Sequence, residues 1–260
     1  MSYAYIDLQI DANVARLTLN RPELHNAFDD RMIAELLDAL AVVANDNSVR
    51  LLVLASNGKN FSAGADLSWM RSMATKNYAE NCADAEQLSL LMQRLDELPQ
   101  PTVVLVRGAA FGGAVGLIAC CDIALADSSA SFCLSEVKIG LIPAVISPYV
   151  MRAMGHRQAR RYMLSAERFS AETAQTFGLI HELSADLEQR LQQLQQQLLS
   201  NSPAAVRAAK RLALAIDQQP LNAATRSHTI TEIAQIRVSA EGQEGLTAFL
   251  EKRTPAWIKG

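Results

Sequence analysis

The chain is short of nearly everything that marks a secreted, metal-binding or nucleic-acid-binding protein. It has four cysteines in 260 residues, Cys82, Cys120, Cys121 and Cys133, and no CxxC pair. A disulfide framework or a zinc ribbon is therefore not expected. All four read as small core residues in a reducing compartment. Excess charge is missing too. Lys and Arg number 24 against 27 Asp and Glu, a net charge of −3, which offers no footprint for nucleic acid or an anionic membrane. No apolar run reaches the ~18 residues of a membrane span. The opening MSYAYIDLQID lacks the basic and apolar regions of a signal peptide. A cytoplasmic protein is expected.

Common catalytic signatures are absent as well. The glycines at 108, 112, 113 and 116 do not have the G-x-G-x-x-G spacing, and Asp127 comes too soon for its ribose-binding acid. No P-loop and no G-x-S-x-G nucleophile elbow occurs. The four histidines, His25, His156, His181 and His228, are scattered without an HExxH motif or Cys/His pairing, so no metal site is expected.

What is present is a globular composition, 50% hydrophobic and 20% charged, in a length that buries a large core without staples. Residues 3–10 and 14–20 alternate as strands around a turn at 11–13. Asn26 is placed to cap a helix over 29–45, where Met32, Ile33, Leu36, Leu37 and Leu40 recur three and four apart. Residues 49–55, apolar apart from Arg50, and 102–106 are runs of buried-strand length. Helices are expected near 67–75, 78–98 and from Gly112 or Gly113 to about 121, with a strand at 123–126. That rhythm is α/β, a sheet covered by helices. Beyond about 156 the strands stop, and residues 156–166, 170–177, 185–200, 202–216, 220–240 and 242–252 read as helical. Leu187, Leu191, Leu194 and Leu198 make one stripe in a glutamine-rich segment, the mark of an amphipathic helix. The expected organisation is an α/β core over 1–190 carrying the ligand site, and a helical region over 191–260 that packs on the core and on neighbouring subunits.

Two glycine-containing loops each follow a buried strand: SAGADL at 62–67 and GAAFGG at 108–113. Small residues there let main-chain N–H groups face a ligand. If the loops converge, two amides can hold one oxygen, and a helix starting at Gly113 adds positive potential. A lone acid, Glu136, follows in SFCLSEVKIGLIP. Phe132, Cys133, Leu134 and Ile139 around it supply the apolar surroundings that raise a carboxyl pKa toward neutrality.

These segments resemble the enoyl-CoA hydratase/isomerase (crotonase) superfamily. The resemblance runs through LNRPELHNAF (19–28), VRLLVLASNGKNFSAGADL (49–67), PQPTVVLVRGAAFGGAVGLIACCDIALA (99–126), SFCLSEVKIGLIP (131–143), ARRYMLSAERFSAETAQTFGLIHEL (159–183) and EGLTAFLEKRTPAW (244–257). It implies a spiral of repeated ββα units with a helical C-terminal trimerisation region, assembled as a homotrimer or a dimer of trimers. It implies an acyl-CoA thioester as substrate, with coenzyme A as part of that substrate and no separate cofactor.

By position, the family's oxyanion amides fall on Ala65 and Gly113, and its later catalytic glutamate on Glu136. The backbone of Ala63–Leu67, including Asp66 and Leu67, corresponds to the part that holds the CoA moiety. Residues Glu23–Ala27, with His25 and Ala27, correspond to a segment near the nucleotide. Gly112 lies beside the acyl group, and Phe249 and Lys252 match C-terminal positions that reach CoA, in some members from an adjacent subunit. One departure stands out: the earlier catalytic glutamate of typical hydratases would fall on Gly116. Another glutamate, such as Glu86, could reach in from a helix, and some hydratases of the family have only the later glutamate. The run Ala144, Val145, Ile146, Ser147, Pro148 also replaces a glycine run. Both departures resemble bacterial 3-methylglutaconyl-CoA hydratases of leucine and isovalerate breakdown.

On that resemblance Gly116 leaves volume for a branched acyl group, and Trp69, Met70 and Met73 either line the acyl pocket or simply pack their helix. Lys138, Arg71 or another cation meets a distal carboxylate. The expected activity is a hydro-lyase reaction on a 2-enoyl-CoA. Two alternatives stay open: a Δ3-Δ2-enoyl-CoA isomerase using the same glutamate, and a catalytically inactive CoA-binding relative.

Overall fold

A computed structural model describes residues 3–258. The chain begins with a hairpin, β1 (Ile6–Asp11) and β2 (Val14–Leu19), paired antiparallel. After α1 (Asp30–Asn45), strand β3 (Leu51–Ser56) lies parallel to β2. Helices α2 (Leu67–Met73) and α3 (Tyr78–Asp96) lead to β4 (Thr102–Val106), parallel to β3. Strand β5 (Ala109–Phe111), helix α4 (Gly113–Ala119), β6 (Ile123–Ala126) and β7 (Ser131–Cys133) follow. Then come α5 (Ser147–Met154), α6 (His156–Ser165), β8 (Phe169–Ser170), α7 (Ala171–Thr176) and β9 (Glu182–Leu183). The chain closes with α8 (Leu187–Ser200), α9 (Pro203–Ile216), α10 (Ala223–Val238) and α11 (Ala240–Glu251). Among these residues no helix is long and apolar enough to cross a membrane.

A six-stranded sheet has the order β1-β2-β3-β4-β6-β9, and a three-stranded sheet has the order β5-β7-β8. The largely apolar sequences of β3 and β4, with Ser56 and Thr102 at their ends, follow from burial on both faces. With a period of two, Leu52, Leu54, Val104 and Val106 enter the main core, while Leu51, Val53, Val103 and Leu105 form a second core on the other face. Leu187 and Leu191 of α8 cover that second face, so a boundary at residue 190 would cut a helix whose first turns belong to the core.

Several expectations change. Strands do not stop at 156: β8 pairs with β7 and β9 with β6. These two-residue strands are too short to carry a period. The cap of α1 is Asp29, whose carboxylate accepts from the Met32 amide at 2.9 Å. Asn26 is wholly buried and bonds instead to the Asn57 and Asn60 carbonyls and the Arg21 amide. Cys82 is exposed on α3 rather than in the core, and the other three cysteines are buried.

Candidate active site

Backbone pairing outside the named strands brings the two glycine loops together. Ser62 and Ala110 form a parallel bridge, with Ser62 N donating to Ala109 O at 3.1 Å and Phe111 N to Ser62 O at 3.0 Å. Phe28 and Ala65 form another, through Phe28 N to Gly64 O and Asp66 N to Phe28 O, both 2.9 Å. The amides of Ala65 and Gly113 are left without an intramolecular acceptor among the described residues. Glu136 arrives by the small sheet: β5 pairs with β7, and Gly112 N donates to Cys133 O at 2.9 Å. A Cβ on Gly112 would lie 3.2 Å from Glu136 Oε1, and its φ of +54° is one that glycine adopts freely.

Ala65, Gly113 and Glu136 line one cavity of about 280 Å³. That is room for a short acyl group and not for a whole acyl-CoA. The rest of its wall is mostly apolar and includes Phe28, Trp69, Met73, Leu88 and the 142–146 segment. Glu136 Oε2 is buried without a hydrogen-bond partner among the described residues. Burial raises the Glu136 pKa above the ordinary carboxylate value, because desolvation penalises the charged form. A buried carboxylate oxygen without a partner is costly and unusual in a purely structural role. Two unspent amides beside it can hold an oxygen that becomes negative while the carboxylate moves a proton.

Some expected residues lie elsewhere. Gly116 is not on the cavity wall. A Cβ there would overlap the Ile146 side chain and come within 3.2 Å of Met92 Sδ, so the volume expected for a branched acyl group is already filled by Ile146. Gly116→Ala is therefore expected to overpack the core and cost about 1–3 kcal/mol. Urea unfolding of that variant, of Ile146→Ala and of the pair should give a double-variant cost below the sum of the single costs.

Ile139 is 61% exposed and leaves the desolvation of Glu136 to other residues. Trp69 and Met73 line the cavity, and Met70 does not. Glu86, Arg71 and Lys138 are exposed and off the wall. The acid that does reach the wall is Asp84, with Asn81 beside it. Asn81, Asp84, Ala85 and Leu88 share one face of α3, spaced three and four apart. Sequence reading passed over them because that face mixes an amide, an acid, a small residue and an aliphatic one.

Around the loops, Ala63 N donates to His25 O at 2.9 Å, and His25 adopts φ +53° with Nδ1 3.2 Å from Asn60 Nδ2. Ala27 is buried, and its carbonyl accepts from Arg21. The Asp66 carboxylate caps α2 through the Ser68 and Trp69 amides and pairs with Arg21 at 3.1 Å. It is occupied in holding the loop. Leu67 is 69% exposed at the start of α2. Phe249 is 81% exposed, and Lys252 ends α11 in a left-handed conformation. Neither joins the cavity wall.

Comparison with known proteins gives a consistent answer. A family model described as enoyl-CoA hydratase/isomerase matches residues 9–260. A crystal structure of an enoyl-CoA hydratase from Shewanella pealeana is 52% identical with a TM-score of 0.96, covering 98% of this chain and 96% of that one. The 2,3-dehydroadipyl-CoA hydratase of Escherichia coli is 33% identical over 246 residues, 93% of this chain and 94% of its own. The 1,2-epoxyphenylacetyl-CoA isomerase of the same organism is 32% identical over 262 residues, 96% of this chain and 97% of its own.

Proposed function

The chain belongs to the enoyl-CoA hydratase/isomerase family, and on that premise we propose that it adds water across the double bond of a 2-enoyl-CoA thioester. The observation that carries this reading is the shared cavity, where two unspent amides, Ala65 and Gly113, meet the half-buried carboxylate of Glu136, one oxygen of which is buried and unpaired among the described residues. The thioester carbonyl accepts from both amides. Glu136 takes a proton from water as the water oxygen bonds to C3. The C2–C3 π electrons move onto the thioester, giving an enolate whose charge the amides hold. The proton held by Glu136 then passes to C2. One water is consumed, and the carboxylate is regenerated.

The substrate proposed is 3-methylglutaconyl-CoA or a related branched enoyl-CoA. Ala65, Gly113, Ala85 and Ala144 are small wall residues that leave room for a branch. A relative named for 2,3-dehydroadipyl-CoA, a thioester of a dicarboxylic acid, supports an acyl chain with a second carboxyl group. His25, Ala27, Ala63, Asp66 and Leu67 would hold the CoA portion outside the cavity, mainly through backbone. Phe249 and Lys252 would approach CoA from a neighbouring subunit. Val238, Phe249 and Leu250, all exposed by more than three quarters in the single chain, fit a helical region, α9–α11, that packs in a homotrimer or a dimer of trimers. Double-bond isomerisation is the second reading. It is favoured by the presence of one carboxylate, Glu136, beside the amides of Ala65 and Gly113.

Incubation with 3-methylglutaconyl-CoA and with a 3-enoyl-CoA separates the two. Hydration appears in mass spectra as the gain of one water, and isomerisation appears in NMR spectra as a shifted double bond at constant mass. Failure to change either compound would overturn the proposal.

A further inference from the structure

We propose that Lys76, at the corner between α2 and α3, selects acyl chains that end in a carboxylate. The proposal rests on the hydratase reading, since it takes the thioester to sit between Ala65 and Gly113. From that point the cavity leads along α2, which starts at Leu67 and places Trp69 and Met73 on the wall. Beside Trp69 the wall also carries Asp84 of α3. One carboxylate oxygen of Asp84, Oδ1, accepts from Lys76 Nζ at 2.8 Å and from the Trp69 indole at 3.3 Å. The Asn81 amide donates to the Lys76 and Asn77 carbonyls, both at 3.0 Å, and so fixes the corner. Lys76 thus stands one hydrogen bond behind the cavity wall.

Three physical arguments make this ammonium a receptor. Its side chain is 29% exposed, and among the described residues it meets one acceptor, Asp84. An ammonium has three N–H donors, so two are unspent. Asp84 offsets the cost of keeping a half-buried cation beside an apolar cavity when no ligand is bound. Elsewhere on the wall a carboxylate would face Glu136 and apolar residues with no cation, whereas at the corner the Lys76 ammonium offsets the charge of Asp84 and has donors to spare. The chain terminus therefore gains most beside Lys76, at the α2–α3 corner.

Isothermal titration with two saturated thioesters, glutaryl-CoA and pentanoyl-CoA, tests this in the full-length protein. The wild type is expected to prefer glutaryl-CoA. Lys76→Met is expected to reduce that preference at least tenfold, the scale of a lost hydrogen bond to a charged group. Lys76→Arg should retain more of it than Lys76→Met. The proposal is overturned if the wild type shows no preference, if Lys76→Met changes it by less than threefold, or if both ligands weaken equally. Neither thioester has a double bond to react. Absence of enoyl-CoA turnover would therefore remove the hydratase reading, while the binding ratio decides the role of Lys76 separately.

Discussion

Glu136→Gln is expected to lower turnover of the enoyl-CoA substrate about 10²–10⁴-fold, the range for a positioned acid–base group. The amide keeps the size of the side chain and leaves Ala65 and Gly113 undisturbed, so binding of the thioester should survive. If Glu136 acts only in the transition state, kcat and kcat/KM fall together. Steady-state kinetics at saturating and limiting substrate reads this directly, and equal turnover by variant and wild type would remove Glu136 from the mechanism. The pH profile adds a second signature. Burial raises the carboxyl pKa, so the wild-type acid limb should titrate above an ordinary glutamate and be missing in the variant.

The same shift has a consequence for stability, and its sign is fixed. A carboxyl group whose folded pKa lies above its unfolded value binds more protons in the folded state as pH rises past the unfolded value. Its contribution is fully present below about pH 4, near the unfolded pKa, and is lost as pH rises through the folded value. Glu136→Gln should therefore melt higher than the wild type at pH 8, with the gap narrowing toward pH 4. Catalysis keeps a charge where folding would prefer a neutral group.

The parts of the fold legible in the sequence are those where burial leaves a period or an uninterrupted run. Strands β3 and β4 are apolar except for Ser56 and Thr102 at their ends because both faces are covered, and α1 repeats at three and four. The small sheet was not legible. Its strands are two or three residues long, and Ala109–Phe111 follows β4 so closely that it reads as loop. Yet pairing of that sheet is what carries Glu136 to Gly112 and Gly113. The convergence of the SAGADL and GAAFGG loops was an inference from small residues and resemblance. Its physical cause, the Ser62–Ala110 and Phe28–Ala65 bridges, is long-range and leaves no local mark. Gly116 misled for a related reason: a glycine opposite a large neighbour looks, in sequence, like empty space. Ile146 occupies it from a segment thirty residues later.

Gly113→Ala carries the other large expected effect, and its cause is not backbone conformation. The φ of Gly113 is one that any residue adopts. A Cβ there would meet Phe28 Cζ at 2.5 Å and Cε2 at 3.1 Å. Phe28 has little freedom to retreat: it is 2% exposed, packs 6.5 Å from the Trp69 ring, and its backbone is bonded on both sides to Gly64 and Asp66. Any displacement of Phe28 is therefore passed to Ala65, which lies between those two partners. A single methyl group disturbs both donor amides at once. Loss of one such donor costs about 10²–10³ in kcat, and overpacking costs about 1–3 kcal/mol of stability. If the steric path through Phe28 is the cause, Phe28→Leu combined with Gly113→Ala should recover melting temperature and part of kcat relative to Gly113→Ala alone. A Gly113→Ala enzyme with unchanged kcat would show that the thioester oxygen is held elsewhere.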